Sequence, residues 1–429
     1  MAAVADMKPW VGIILAGVVA RVVVIALCGG LHPQALEPSV IAANLNAGRG
    51  FTFEQYGAVY HAWKEPLYIG LLAILTRWFG EHPLPLLLFQ GMFGVATAVG
   101  VAIVARRILG DATKATVAGV IASANPFLVF YDTQRIHPLS MDAFLFIATT
   151  GAVLVAVMGQ GARWRQSLVA GLVTGLALWQ RATLLAAAAM SWCAAVIRAP
   201  APHRARRALS AGCSLILALL VVSPWLIRNY RVLGRWAVTT DAAHVFWLGN
   251  NPWSNGTYSD DKGRRVFYVA DEAFQRHILG ASELEQYDRF REAAGQFIVQ
   301  QPARFAGLVL GRLKTFFWFS PNSGLLYTTE QKLIYQIAYV GLLSLGLVGL
   351  AGFWTRATES RRYEAGVIIA GVLGLAAAHS VIVMNLKHRV PLELVLAIFA
   401  AEGLVRGLTV LRAWGKAVNA KDERPAGEK

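Results

Sequence analysis

Charged residues are scarce and cysteines nearly absent, and each shortage removes a class of protein. Only 15% of the 429 residues are Asp, Glu, Lys or Arg, against 56% hydrophobic. With a mean hydropathy of +0.49, that balance excludes an ordinary soluble domain and points to a chain held in a bilayer. The three cysteines, Cys28, Cys193 and Cys213, lie in or beside apolar stretches and form no C-x-x-C pair. Neither a disulfide framework nor a zinc site is suggested. Acidic residues number 25 against 40 basic ones, for a formal net charge of +15. The basic residues are scattered through short loops rather than gathered in one patch. The excess therefore fits positive-inside topology and contact with anionic membrane lipids, and argues against a nucleic-acid partner. No internal repeat is visible.

What is present is a series of long apolar runs. Candidate spans are 10–29, 84–105, 114–131, 141–158, 167–180, 182–197, 208–227, 331–354, 364–384 and 391–410. The first run is longer than a signal-peptide core and lacks a convincing cleavage site, so it is expected to be retained. Basic clusters occur at Arg106, Arg107 and Lys114; at Arg163 and Arg165; and at Arg198, Arg204, Arg206 and Arg207. Others are Arg356, Arg361 and Arg362, and the tail from Arg406 to Lys429. If all of them are cytoplasmic, ten spans alternate correctly with both termini inside.

Two further apolar segments, 66–80 and 304–320, would each invert everything downstream if they crossed. They are expected to lie in the outer interface instead; the alternative is a twelve-span count, which keeps both termini inside but inverts the loops between the two segments. The expected organisation is an N-terminal membrane module, 1–227, with a first extracytoplasmic loop, 30–83. An extracytoplasmic loop with a juxtamembrane helix, 228–330, follows. The C-terminal spans, 331–410, and a basic cytoplasmic tail, 411–429, complete the chain. The fold class is an all-α polytopic membrane protein of about ten transmembrane helices, with a small α/irregular outer segment.

This topology leaves Lys387-His388-Arg389 on the outer face, against the usual bias of basic residues. Such a cluster suits an anion held there, because arginine grips phosphate with paired donors and lysine adds a point charge. Contact with outer-leaflet headgroups is the competing explanation. Glu37 begins a short helical run and could act as a general base toward a hydroxyl, or could simply complement the helix dipole. Asp142 opens the fourth span and Arg181 sits at the turn between spans five and six. Ionisable groups at membrane depth are functional candidates; helix-start charge and snorkelling are the plainer readings. Arg228, in Pro224-Trp225-Leu226-Ile227-Arg228-Asn229-Tyr230, could anchor at the headgroups, and Gly249-Asn250-Asn251-Pro252 looks like a structured turn. Arg21 and the Glu402/Arg406 pair read as helix-packing partners. His61 and His244 have no companion at metal-ligand spacing, and the sequon Asn255-Gly256-Thr257 carries no function by itself.

Taken together, separated segments resemble the GT-C membrane glycosyltransferases, in the bacterial branch related to protein O-mannosyltransferases and lipid A aminoarabinose transferases. They are Glu37…Ile41-Ala42-Ala43-Asn44-Leu45…Gly48-Arg49-Gly50-Phe51, Glu65-Pro66-Leu67-Tyr68, Gly175-Leu176-Ala177-Leu178-Trp179-Gln180-Arg181, the Pro224–Tyr230 and Gly249–Pro252 segments, and His388-Arg389-Val390-Pro391-Leu392. The resemblance implies inverting transfer of one sugar from a polyprenyl-phosphate-linked donor to a lipid, protein or glycan acceptor. It places that reaction at the extracytoplasmic face of a bacterial inner membrane. It casts Glu37 as the base, although an Asp is commoner there, with Asp142 as a second catalytic acid. Arg181, Lys387, His388 and Arg389 become donor-phosphate ligands, and Glu65, Tyr68, Arg228 and Asn250 candidates for the substrate pocket. A divalent metal assists some members, but no ligand set here demands one. The competing classes are a transporter for lipid-linked sugars, which predicts ionisable groups spread through the membrane, and a non-catalytic envelope-assembly protein.

Overall fold

The computed structural model describes residues 2–28, 30–158, 163–320 and 327–422. The end of the basic tail, 423–429, therefore lies outside the described residues. Helices dominate. Among the described residues the strand pairing is one hairpin in the first loop, Phe53–Gln55 with Ala58–Tyr60, in register Phe53 to Tyr60. Its two-residue turn has Tyr56 at φ 51° and Gly57 at φ 74°, the left-handed pair that matches strand twist.

Among the described residues seven helical spans are long and apolar enough to cross a membrane: Trp10–Leu27, Pro83–Leu109, Leu139–Met158, Ala201–Leu233, Thr329–Arg356, Glu359–Val381 and Leu386–Trp414. The first lies within helix Ala2–Leu27, and the last runs from the turn Leu386–Arg389 into helix Val390–Asp422. An eighth candidate is broken. Helices Ala112–Ser123 and Pro126–Gln134 meet at a 45° bend, where Pro126 cannot continue the hydrogen-bond ladder. Asn125 restarts it, its Oδ1 accepting from the Leu128 amide at 3.0 Å. The remaining two expected spans are shorter helices, Arg163–Gln180 and Leu184–Ile197. The two segments expected at the interface are also helical, as Pro66–Phe79 and Pro302–Phe317. At 1.5 Å per residue their 14 and 16 residues fall short of a hydrocarbon core of about 30 Å.

Small residues bring the spanning helices together, as packing inside a bilayer requires. Thr329–Arg356 lies against Val390–Asp422 with Gly349 at the contact. A Cβ there would stand 1.8 Å from the Phe399 carbonyl oxygen. Arg21, in the first helix, is pinned by Asp132, with Nε donating to Oδ2 at 2.9 Å, while Ser140 donates to the other carboxylate oxygen. That pair fastens an otherwise lipid-facing helix to the bundle and fits the packing role expected for Arg21.

Among the described residues, members of several basic clusters gather at one end. There Arg107 pairs with Glu364 at 3.1 Å, Lys114 and Arg406 share Glu402 at 2.7 and 3.0 Å, and Arg207 donates to the Tyr363 hydroxyl at 2.8 Å. At the opposite end, Trp247, Phe267, Phe290 and Ala294 form a small separate core in the segment after Leu233. Glu283 ties this core to the first loop. Its carboxylate accepts from the amides of His61 and Ala62, at 2.7 and 3.1 Å, and from the Thr240 hydroxyl at 2.6 Å.

Candidate functional site

Opposite the basic end, three helix junctions converge on a narrow crevice. The first junction is the start of Leu139–Met158. His137 caps it, its Nδ1 accepting from the Leu139 amide at 3.1 Å, and Asp142 follows in the first turn. The second is the break after Gln180, which leaves Arg181 at the crevice. The third is the turn Leu386–Arg389 ahead of the last helix, closed by Asn385, whose Oδ1 accepts from the Lys387 amide at 3.3 Å.

Asp142, Arg181, His379, Lys387 and His388 line the crevice together with Leu139, Leu184 and Pro391. It encloses ≈ 30 Å³, room for about two waters at 10–15 Å³ each, so a phosphate enters only as side chains part. Asp142 is fully engaged: Oδ1 accepts from Gln180 at 2.7 Å and Oδ2 from Arg181 Nε at 2.6 Å. Glu65, from the first loop, accepts from the Ala182 amide at 3.0 Å and so buttresses the Arg181 turn. Lys387 Nζ lies 3.2 Å from His137 Nε2, and the rings of His379 and His388 stack at 3.9 Å. Glu37 stands at the N-terminus of helix Glu37–Asn46, and its charge acts on both Lys64 and Lys387. Among the described residues no hydrogen bond or ion pair holds its carboxylate.

The other sequence candidates lie elsewhere. Arg389 is completely buried behind the crevice, in a cage of Tyr339, Phe319 and Tyr335 with ring centres 4.0, 4.9 and 5.3 Å away. It donates to the Trp318 carbonyl at 3.0 Å and faces Glu393 at 3.8 Å. Tyr68 is buried and hydrogen-bonds Gln90, which in turn accepts from the His137 amide at 2.9 Å. Arg228 packs on Trp225 and donates to the His61 carbonyl. Asn250 is a staple, accepting from Arg312 at 3.0 Å while donating to the Phe246 and Val381 carbonyls at 2.9 and 3.0 Å. Burial lowers Arg312 to about 10.

Two residues beside the crevice escaped the sequence reading. Lys64 is ion-paired with Asp241, which also binds His244 Nδ1 at 3.0 Å, and His244 Nε2 meets the Tyr56 hydroxyl at 2.9 Å. Burial opposes the charge on Lys64, but Asp241 and Glu37 outweigh it and raise its proton affinity. Burial likewise pushes Asp241 up, and Lys64 with His244 overcomes it, holding the carboxyl down at about 2. Lys64 could have been noticed beside Glu65; Asp241 lies 177 residues away with no local signal. Among the described residues no three His, Cys, Asp or Glu side chains gather as a metal site.

This architecture is that of an all-α polytopic membrane protein, a bundle with a polar crevice at one end and reinforcing loop helices. Residues 64–227 match the family model described as dolichyl-phosphate-mannose-protein mannosyltransferase. Among solved structures the chain is similar to the oligosaccharyltransferase AglB of Archaeoglobus fulgidus, in complex with an inhibitory peptide and a dolichol-phosphate. The identity is 13% and the TM-score 0.54, over 97% of this chain and 52% of that one. The apo form of the same archaeal enzyme gives 14% identity and a TM-score of 0.55, with the same coverage. ArnT of Cupriavidus metallidurans, bound to undecaprenyl phosphate, gives 15% identity and a TM-score of 0.44, over 92% of this chain and 78% of that one. The chain thus spans about half the length of the archaeal enzyme. No curated protein matches it in sequence.

Proposed function

We propose that this protein is an inverting glycosyltransferase that moves one sugar from a polyprenyl-phosphate-linked donor to a hydroxyl or amine acceptor. The reaction would take place at the outer face of a bacterial inner membrane. The observation that carries the reading is the crevice itself. It collects Arg181 and Lys387, with Lys64 nearby, at the end opposite the basic clusters, so a departing phosphate would meet cations in a water-poor setting. The match of residues 64–227 to a family named for a lipid-phosphate sugar donor, and a fold shared with an enzyme solved with dolichol-phosphate, support the same class of donor.

In this scheme the acceptor oxygen or nitrogen forms a bond to the anomeric carbon as the bond from that carbon to phosphate oxygen breaks. Glu37 takes the acceptor's proton, and the polyprenyl phosphate leaves toward Arg181. Glu37 suits the base better than Asp142 because no hydrogen bond or ion pair among the described residues occupies its oxygens, whereas both of Asp142's are occupied. Asp142 instead orients Arg181, whose Nη donors stay available for phosphate. The test is Glu37→Gln assayed with a lipid-linked sugar donor. Loss of a general base should cost about 10²–10⁴-fold in turnover, with donor affinity kept. Undiminished turnover would remove Glu37 as the base.

A further inference from the structure

Hydrogen-bond bookkeeping in the crevice restricts the charge on Lys387. The amide N–H of Leu139 donates to His137 Nδ1 at 3.1 Å, so that nitrogen must present its lone pair. A neutral imidazole carries one N–H, which therefore sits on Nε2. Nε2 lies 3.2 Å from Lys387 Nζ. An ammonium has no lone pair with which to accept, and two donors cannot share a hydrogen bond. The contact is satisfied only if Nζ is an amine.

The surroundings agree. The charges acting on Lys387 are Arg181 and Lys64 from two other elements, with Glu37 and Asp142 as the anions. Asp142 already serves Arg181, and Lys64 already has Asp241. The histidines add no counter-charge. His388 Nδ1 accepts from the Asn385 amide at 3.3 Å, and His379 stacks on its ring.

We propose that, above the midpoint of the empty site, Lys387 is an uncharged amine in the ligand-free crevice and takes up one proton from solvent when a phosphate monoester or diester on a lipid enters. This rests on the donor class proposed above, and it adds that donor binding is proton-coupled. The crevice would present its full positive charge only to an anion, which avoids the repulsion of three neighbouring cations when empty. Between the empty-site and bound-site midpoints, affinity should fall about tenfold per pH unit as pH rises. Below the empty-site midpoint it should be flat.

Two measurements test this. In detergent-solubilised full-length protein labelled with ¹³C at lysine Cε, the Lys387 signal is identified by its loss in both Lys387→Met and Lys387→Arg. It should titrate at least about one pH unit below the other lysines, and His137→Phe should shift it up toward them. Titration together with the other lysines overturns the proposal, whatever the protein binds. Calorimetry with undecaprenyl phosphate near pH 9, where a phosphate monoester is fully ionised, in two buffers of different ionisation enthalpy, gives the coupling. Binding should take up about one proton in the wild type and none in Lys387→Arg, which is always charged. Binding without uptake in the wild type also overturns the proposal. No binding at all would count against the glycosyltransferase reading instead, and the lysine titration would still decide the state of Lys387.

Discussion

Replacing Arg389 with Ala separates two roles for one residue, ligand and scaffold. The guanidinium is fully buried against three aromatic faces, and the 2%-exposed Glu393 carboxylate lies 3.8 Å away. Removing it leaves a buried anion without its cation, which costs about 3–5 kcal/mol. Glu393 keeps hydrogen bonds from Asn125, at 2.7 Å, and Tyr335, which places the expected loss at the lower end, about 3 kcal/mol. The cation–π contacts add to it, since a desolvated one is worth about 2 kcal/mol. Such a loss is a large part of a typical folding stability of about 5–15 kcal/mol. A thermal unfolding scan in detergent should show a clearly lowered midpoint for Arg389→Ala. The double variant Arg389→Met, Glu393→Gln should recover most of it, because neither charge is then stranded. Undecaprenyl phosphate binding, measured well below that midpoint, should be nearly unchanged. A variant with wild-type stability and lost phosphate affinity would refute the scaffold role and return Arg389 to the binding site.

Two further outcomes follow from the same geometry. Gly249→Ala should destabilise by about 1–3 kcal/mol, read from the unfolding midpoint, because its Cβ would lie 1.9 Å from the Ile382 carbonyl oxygen and 2.9 Å from Arg312 Nη1. Asp241, held at about 2 against an ordinary 3.8, contributes about 2 kcal/mol of stability. Its folded-state value is depressed, so that contribution is present above about pH 4 and lost as pH falls toward 2. A pH series of unfolding midpoints should show this acid loss in the wild type and lack it in Asp241→Asn; identical acid profiles would refute it.

Much of the architecture was legible without coordinates because the bilayer imposes it. Apolar run length marks helices, and loop charge sorts their ends. The structure accordingly places helices at all ten expected spans, and at 66–79 and 302–317, and it collects the Arg107, Arg207, Lys114 and Arg361 loops at one end. The helix break at Pro126 was hidden because apolar composition is blind to a 45° bend.

The site divides in the same way. Asp142, Arg181 and Lys387 were visible as ionisable residues beside apolar runs, where charge is expensive enough to be informative. The sequence could rank Lys387, His388 and Arg389 only as one cluster. A tight 3₁₀ turn sends consecutive side chains in different directions, so Lys387 and His388 line the crevice while Arg389 enters an aromatic cage. The pairing of Lys64 with Asp241 and the His137–Lys387 contact belong to tertiary structure alone, since segments far apart in the chain meet only after the helices pack. Composition and charge determined that this is a multi-pass membrane protein with a few cations at the end opposite its basic loops. Packing decided which of those cations face the crevice.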